Sequence, residues 1–198
     1  SAMELLTAYR LPVAEWRWAS SEADAVEAAV ELAGPVALKA DVADVVHKTD
    51  VGAVSLALST EDGMRRSYRA MVERFGDRLR GVVVQSMAAP GVEVLAGVVQ
   101  EPVFGPLVVF GLGGVATDVL ADRAIRLAPL TDIDAAELVR APRAAALLQG
   151  YRGQPAVDMA ALEQALIRLA KLASDHPEIT EVDLNPVIAR PDGLVAVD

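Results

Sequence analysis

With 198 residues, 53% of them apolar, the chain can form one domain or two small lobes sharing an interface, and its composition is globular rather than disordered. It has no cysteine, which excludes a disulfide framework, thiol catalysis and thiolate metal sites. A formal net charge of -10 excludes a broad basic surface for nucleic acid, though a few cations in a cleft can still hold a small anion.

In chain order, Glu4 to Tyr9 reads as a short helix stopped near Pro12, and Val13 to Trp18 alternates like an edge strand. Ser20-Ser21-Glu22 caps a helix with Ala25, Val26, Ala29, Val30 and Leu32 on its apolar side, ended by Gly34-Pro35. Val36 to Ala40 and Val51 to Leu58 are short strands. Thr60-Glu61-Asp62 opens an Arg-rich helix to about Leu79, and Gly81 to Gln85 is the next strand. This alternation suggests a small α/β lobe. Ala-Ala-Pro-Gly within Ser86 to Gly91 marks a hinge.

Beyond it, Val92 to Val99 and Pro106 to Phe110 are apolar strands, followed by glycines 111, 113 and 114 and by Asp118, Asp122 and Arg126. Thr131-Asp132 caps a helix through about Arg140, and a longer helix spans Asp158 to Ser174. Ile179 to Asp183 and Leu194 to Val197 are strands joined by the turn Pro191-Asp192-Gly193. No apolar run reaches the ~18 residues of a membrane span. No secretory signal is evident and Ser1-Ala2 reads as a remnant of tag removal, so a cytoplasmic location is expected.

Fifteen of the 18 basic residues are Arg; the three Lys are 39, 48 and 171, and two of these flank one strand-loop segment. A compact ammonium suits some sites better than a planar fork. Lys39 sits among apolar neighbours and must meet either a carboxylate, as a structural ion pair, or a phosphate. His47 beside Lys48 is either a surface residue or a nucleophile toward phosphorus. His176, before Pro177, reads as a helix-end residue. Asp183, Asn185 and Asp198 are hard oxygen donors of the kind magnesium takes, or merely turn residues. Period-two alternation puts Asp183 and Asn185 on one strand face. The glycine cluster lacks P-loop spacing.

Val36-Ala37-Leu38-Lys39, His47-Lys48-Thr49-Asp50-Val51-Gly52, Phe104 to Gly114, Arg126 to Thr131, Leu147 to Gly153 and Glu181-Val182-Asp183-Leu184-Asn185-Pro186 together resemble the ATP-grasp domain of NDP-forming acyl-CoA synthetases, relatives of succinyl-CoA synthetase. The resemblance covers nearly the whole chain, in order. It implies an α+β ATP-grasp fold over residues 1–198, with a first lobe at 11–87 and a second at 88–198 on which 1–10 would pack. ATP or ADP would lie in the cleft between the lobes. By the same match Lys39 would hold phosphate oxygens, Gln85, Ser86 and Met87 would line the adenine pocket, and Glu93 would sit near the ribose. Gly113, Gly114 and Arg126 join the nucleotide-binding candidates. Asn185 and Asp198, with Asp183, would bind Mg2+.

His47 resembles a phosphoryl carrier, with Lys48 and Asp118 as its catalytic companions. The family reaction interconverts acyl-CoA, ADP and phosphate with acid, CoA and ATP through phosphohistidine. It requires CoA-binding and ligase domains, on the same polypeptide or a partner subunit. The chain departs from the family at Gly52-Ala53, where Gly-Gly is usual, at Asp118, where Glu is usual, and at Val42-Ala43, where Ser-Pro is usual. Related domains also occur beside a GNAT acetyltransferase in protein-lysine acetyltransferases. A regulatory nucleotide-binding domain with that partner is the alternative reading.

Overall fold

The computed structural model describes residues 2–42, 52–113, 122–151, 153 and 155–198. They form two compact units, Ala14–Ala88 and Ser1–Val13 with Ala89–Asp198. The chain opens with α1 (Ala2–Ala8), which belongs to the second unit.

The Ala14–Ala88 unit contains β1 (Trp16–Ala19), α2 (Glu22–Glu31), β2 (Val36–Val42), β3 (Val54–Leu58), α3 (Glu61–Phe75) and β4 (Leu79–Ser86). Ser21 caps α2 by accepting the Asp24 N–H, and Thr60 caps α3 by accepting the Gly63 N–H. The expected helix to Leu79 ends instead at Phe75. Gly76 adopts a left-handed φ of 52°, which stops the helix and lets Leu79 begin β4. The strands lie in the order β1-β4-β2-β3, antiparallel at every contact, so the helix–strand alternation produces an α+β layer and not a parallel sheet. Val36, Leu38, Ala40, Val82 and Val84 face Ala25, Ala28, Met64, Tyr68, Met71 and Phe75 in one core. Each large side chain buried there is worth roughly 1.5–3 kcal/mol.

Glu22 ties the two helices together by accepting from Arg65 at 2.9 Å and from Arg69 at 2.7 and 2.9 Å. These guanidiniums, Arg69 foremost, lower its pKa to about 2. An unfolded glutamate titrates near about 4.3, so this contribution is complete above that pH and fades as the pH falls toward about 2. Glu22→Gln should therefore melt below wild type at neutral pH, with the gap closing by about pH 2. Melting curves across that range provide the check.

The second unit adds β5 (Val92–Glu101), β6 (Gly105–Leu112), β7 (Arg123–Leu127), α4 (Asp132–Arg140), α5 (Met159–Asp175), β8 (Glu181–Arg190) and β9 (Gly193–Ala196). Their order is β7-β6-β5-β8-β9, again antiparallel. Val94, Ala96, Val98, Val108, Phe110, Leu184, Val187 and Ala189 share a core with Leu138 of α4 and with Leu162, Leu166, Leu169 and Leu172 of α5. A full capping box, Thr131 with Asp134, starts α4. Leu6 of α1 enters this core, and Tyr9 donates to Asp175 at 2.7 Å. His176 is the C-cap of α5, its ring edge-on to Tyr9 and its Nδ1 3.0 Å from Glu178.

Two elements differ from expectation. β7 has Arg at positions 123 and 126, on opposite faces, so no apolar run announces it. β8 runs on to Arg190 although Pro186 reads as a strand breaker. It can do so because the strand is bulged there: Val94 pairs with Val187 but Ala96 pairs with Leu184, which leaves one surplus residue at Asn185-Pro186. No helix among the described residues is long and apolar enough to cross a membrane.

Candidate functional site

In the Ala14–Ala88 unit the candidate groups gather on β2 and β4. Ala37 pairs with Gln85 and Lys39 with Val83, so period-two alternation sends Lys39 and Gln85 to the same face, opposite the helices. Both are buried, Lys39 to 7% exposure and Gln85 to 1%, and they are the buried polar or charged residues of the described chain. The Gln85 Nε2 is buried without a hydrogen-bond partner. Such a donor costs roughly 1–3 kcal/mol if nothing accepts from it. The backbone after it is fixed: Ser86 N–H donates to Glu15 at 2.8 Å and Met87 N–H to Pro35 at 3.0 Å. The Met87 side chain is exposed.

In the second unit the acidic candidates cluster on the face of the sheet opposite the α4–α5 core. Asp183 and Asn185 are exposed, with the buried Leu184 between them. The bulge then returns Val187 to the core, so the donor face and the core face coexist along one strand. Val187 pairs with Ala196, and the Val197 N–H donates to Pro186 at 3.2 Å. This register carries Asp198 alongside Asn185. Asp183 remains open to solvent on one side, and the partial desolvation of its carboxylate against the sheet raises its pKa; the carboxylates of Glu181 and Asp198 add to the rise, and Arg123 opposes it. Asp183 and Asp198 are therefore close enough to feel each other. Glu93 projects from β5, opposite Ile188.

Asp183, Asn185 and Asp198 supply two carboxylates and an amide. Among the described residues no group of three His, Cys, Asp or Glu side chains could hold a metal. Two carboxylates and an amide match the donor set of magnesium, which takes one or two carboxylates and fills its remaining positions with water and phosphate oxygens.

The other candidates fall elsewhere. Arg126 shares a face with the buried Val108, and its guanidinium reaches Glu137 of α4 at 3.4 Å, so the fold does not gather it with the acidic group. Gly113 permits close backbone approach: a Cβ there would lie 2.9 Å from the Val94 carbonyl carbon. Asp122 is structural, accepting the N–H groups of Arg143 and Ala144 at 2.9 and 2.8 Å. His47, Lys48, Gly114 and Asp118 lie outside the described residues. Sequence reasoning passed over Arg123, which the β6–β7 register puts opposite Gly111 on the acidic face. The alternation of Arg123, Ile125 and Leu127 against Ala124 and Arg126 was the available signal.

A model of the ATP-grasp domain matches residues 1–198. The chain is 36% identical over 202 residues to the acetate–CoA ligase [ADP-forming] I subunit beta of Pyrococcus furiosus, covering all of this chain and 87% of that subunit. It is 38% identical to acetate–CoA ligase [ADP-forming] I of Archaeoglobus fulgidus, covering 99% of this chain but only 29% of that longer protein. Its structure resembles the dinucleotide forming acetyl-coenzyme A synthetase 1 of Ca. Korarchaeum cryptofilum, solved with coenzyme A, Ca-AMPCP and HgCl+ (TM-score 0.96, 41% identity, 100% of this chain and 88% of that one). The same protein was also solved with Mg-AMPPCP and a phosphohistidine segment pointing towards the nucleotide binding site (TM-score 0.87, 41% identity, 100% and 87%).

Proposed function

We propose that this chain, which belongs to the ATP-grasp domain family, is the nucleotide-binding, phosphoryl-transferring module of an ADP-forming acyl-CoA ligase. The observation that carries this reading is the pair of buried polar side chains, Lys39 and Gln85, set on one sheet face with the Gln85 amide nitrogen lacking an acceptor. A fold selected for stability alone gains nothing from an amide nitrogen buried without an acceptor, whereas a nucleotide base supplies one, and the ammonium on the same face suits its phosphates.

Phosphoryl transfer depends on positioning and on neutralising charge spread over the phosphate oxygens. In this reading the Lys39 ammonium meets those oxygens and the Gln85 amide donates to the base. Asn185 and Asp198, with Asp183, hold magnesium, which supplies further neutralisation of phosphate charge. Neutral His47 attacks the terminal phosphorus: an N–P bond forms, the bond to the bridging oxygen breaks, ADP leaves, and the second ring nitrogen can release its proton. Lys48 and Asp118 accompany His47.

The acyl and CoA steps belong to CoA-binding and ligase domains. The relatives fit this division, one being a separate subunit and another a longer single chain. An ATP-linked ligase of this kind suits the cytoplasm.

Mg·ATP at about 100 times its Kd should stabilise the chain by about 2.7 kcal/mol. Asp198→Asn and Asn185→Ala should lose the magnesium-dependent part of that gain. Given the partner domains, labelled phosphate from ATP should appear on wild type and not on His47→Ala. A wild-type melting temperature indifferent to Mg·ATP would refute the reading.

A further inference from the structure

On the acidic face of the second sheet, two glycines stand where side chains would otherwise meet. Gly97 lies opposite Asp183, and Gly111 lies opposite Arg123. A Cβ on Gly111 would come within 3.2 Å of Arg123 Cγ, so the stem of that side chain runs over Gly111 toward the middle of the sheet. A Cβ on Gly97 would lie 3.9 Å from Asp183 Oδ1, so the carboxylate leans over Gly97 from the other side.

The order β7-β6-β5-β8 separates their strands by three inter-strand spacings, about 14 Å between backbones. A long guanidinium side chain and a short carboxylate advancing from the two sides leave room between their charged heads. Among the described residues no ion pair closes between them. Gly111 and Gly97 lie on a diagonal, with Leu95 and Val109 beside them on the same face, so the two opposite charges approach each other along a low path between those side chains, a place for a ligand with negative oxygens on the Arg side and a cation on the Asp side. A planar guanidinium fork is well matched to phosphate oxygens.

We propose that Arg123 contacts phosphate, its guanidinium binding the terminal phosphate oxygens of the nucleotide along the Gly97–Gly111 diagonal from Asp183. This rests on the nucleotide reading above and adds a residue and a direction to it: the phosphate end of the ligand points from β8 toward β7.

Calorimetric titration of the full chain with Mg·AMPPCP, Mg·ADP and AMP tests it. Arg123→Gln should weaken Mg·AMPPCP by about 10- to 100-fold, the span expected when hydrogen bonds to a charged group are lost. Mg·ADP should weaken less and AMP not at all. Arg123→Lys should recover part of the AMPPCP affinity through its charge. Unchanged AMPPCP affinity in Arg123→Gln overturns the proposal while leaving the nucleotide reading standing. Equal losses for all three ligands also overturn it, by showing that the residue serves only the fold. If wild type binds none of the three, the nucleotide reading falls and the assignment of Arg123 falls with it.

Discussion

Lys39→Met should keep its fold and lose phosphoryl transfer by about 10²- to 10³-fold, the usual effect of deleting one preorganised group that stabilises charge. Methionine preserves most of the volume of the lysine stem in a strand buried on both faces, so the sheet has no cavity to collapse into. What disappears is a positive charge at a site with little water, where its field acts at low dielectric. The two effects separate cleanly in measurement. Ligand-free melting should remain a single cooperative transition, whereas single-turnover transfer of label from ATP, with the partner domains present, should nearly vanish. Transfer within threefold of wild type would place Lys39 outside the phosphate site. Lys39→Arg should not rescue, because a planar fork does not fit where a compact ammonium is enclosed.

Gly97→Val should destabilise the second unit by about 1–3 kcal/mol, as forced overpacking does, and should lower the melting temperature by several degrees. The sign is not obvious, since valine is the better strand former. Geometry decides it. A Cβ at position 97 would lie 2.8 Å from the Val182 carbonyl oxygen, a backbone atom held in the β5–β8 ladder that cannot swing aside. The same substitution fills the path beside Asp183, so nucleotide affinity should fall together with stability. Gly97→Ala should show both effects in smaller measure. A valine variant that melts at or above the wild-type temperature would mean that the two strands separate more easily than their register implies.

The caps at Ser21, Thr60 and Thr131, the core face of α5 and the turn after Arg190 could all be read directly, because each depends on residues close together in the chain. The common face of Asp183 and Asn185 followed from alternation alone. What could not be read depended on partners distant in sequence. Among the described residues β7 is an edge strand paired with β6 alone, and its two arginines mask the alternation. The end of α3 turned on the left-handed backbone of Gly76, which competes with an otherwise continuous helical pattern. The continuation of β8 past Pro186 required knowledge of β5, since only pairing reveals the bulge. Arg126 attracted attention as a cation after a glycine cluster, yet one residue of phase turns it toward Glu137 and leaves Arg123 on the acidic face.

That phase has an evolutionary corollary. Because β8 carries its surplus residue at Asn185-Pro186, losing or gaining a single codon between Glu181 and Val187 would exchange inside for outside on one side of the insertion, exposing Leu184 or sequestering Asp183. Descendants of this sequence can therefore vary in length at the Pro191-Asp192 turn or the tip at Val103-Phe104, but the segment between Glu181 and Val187 should hold its count while its side chains drift.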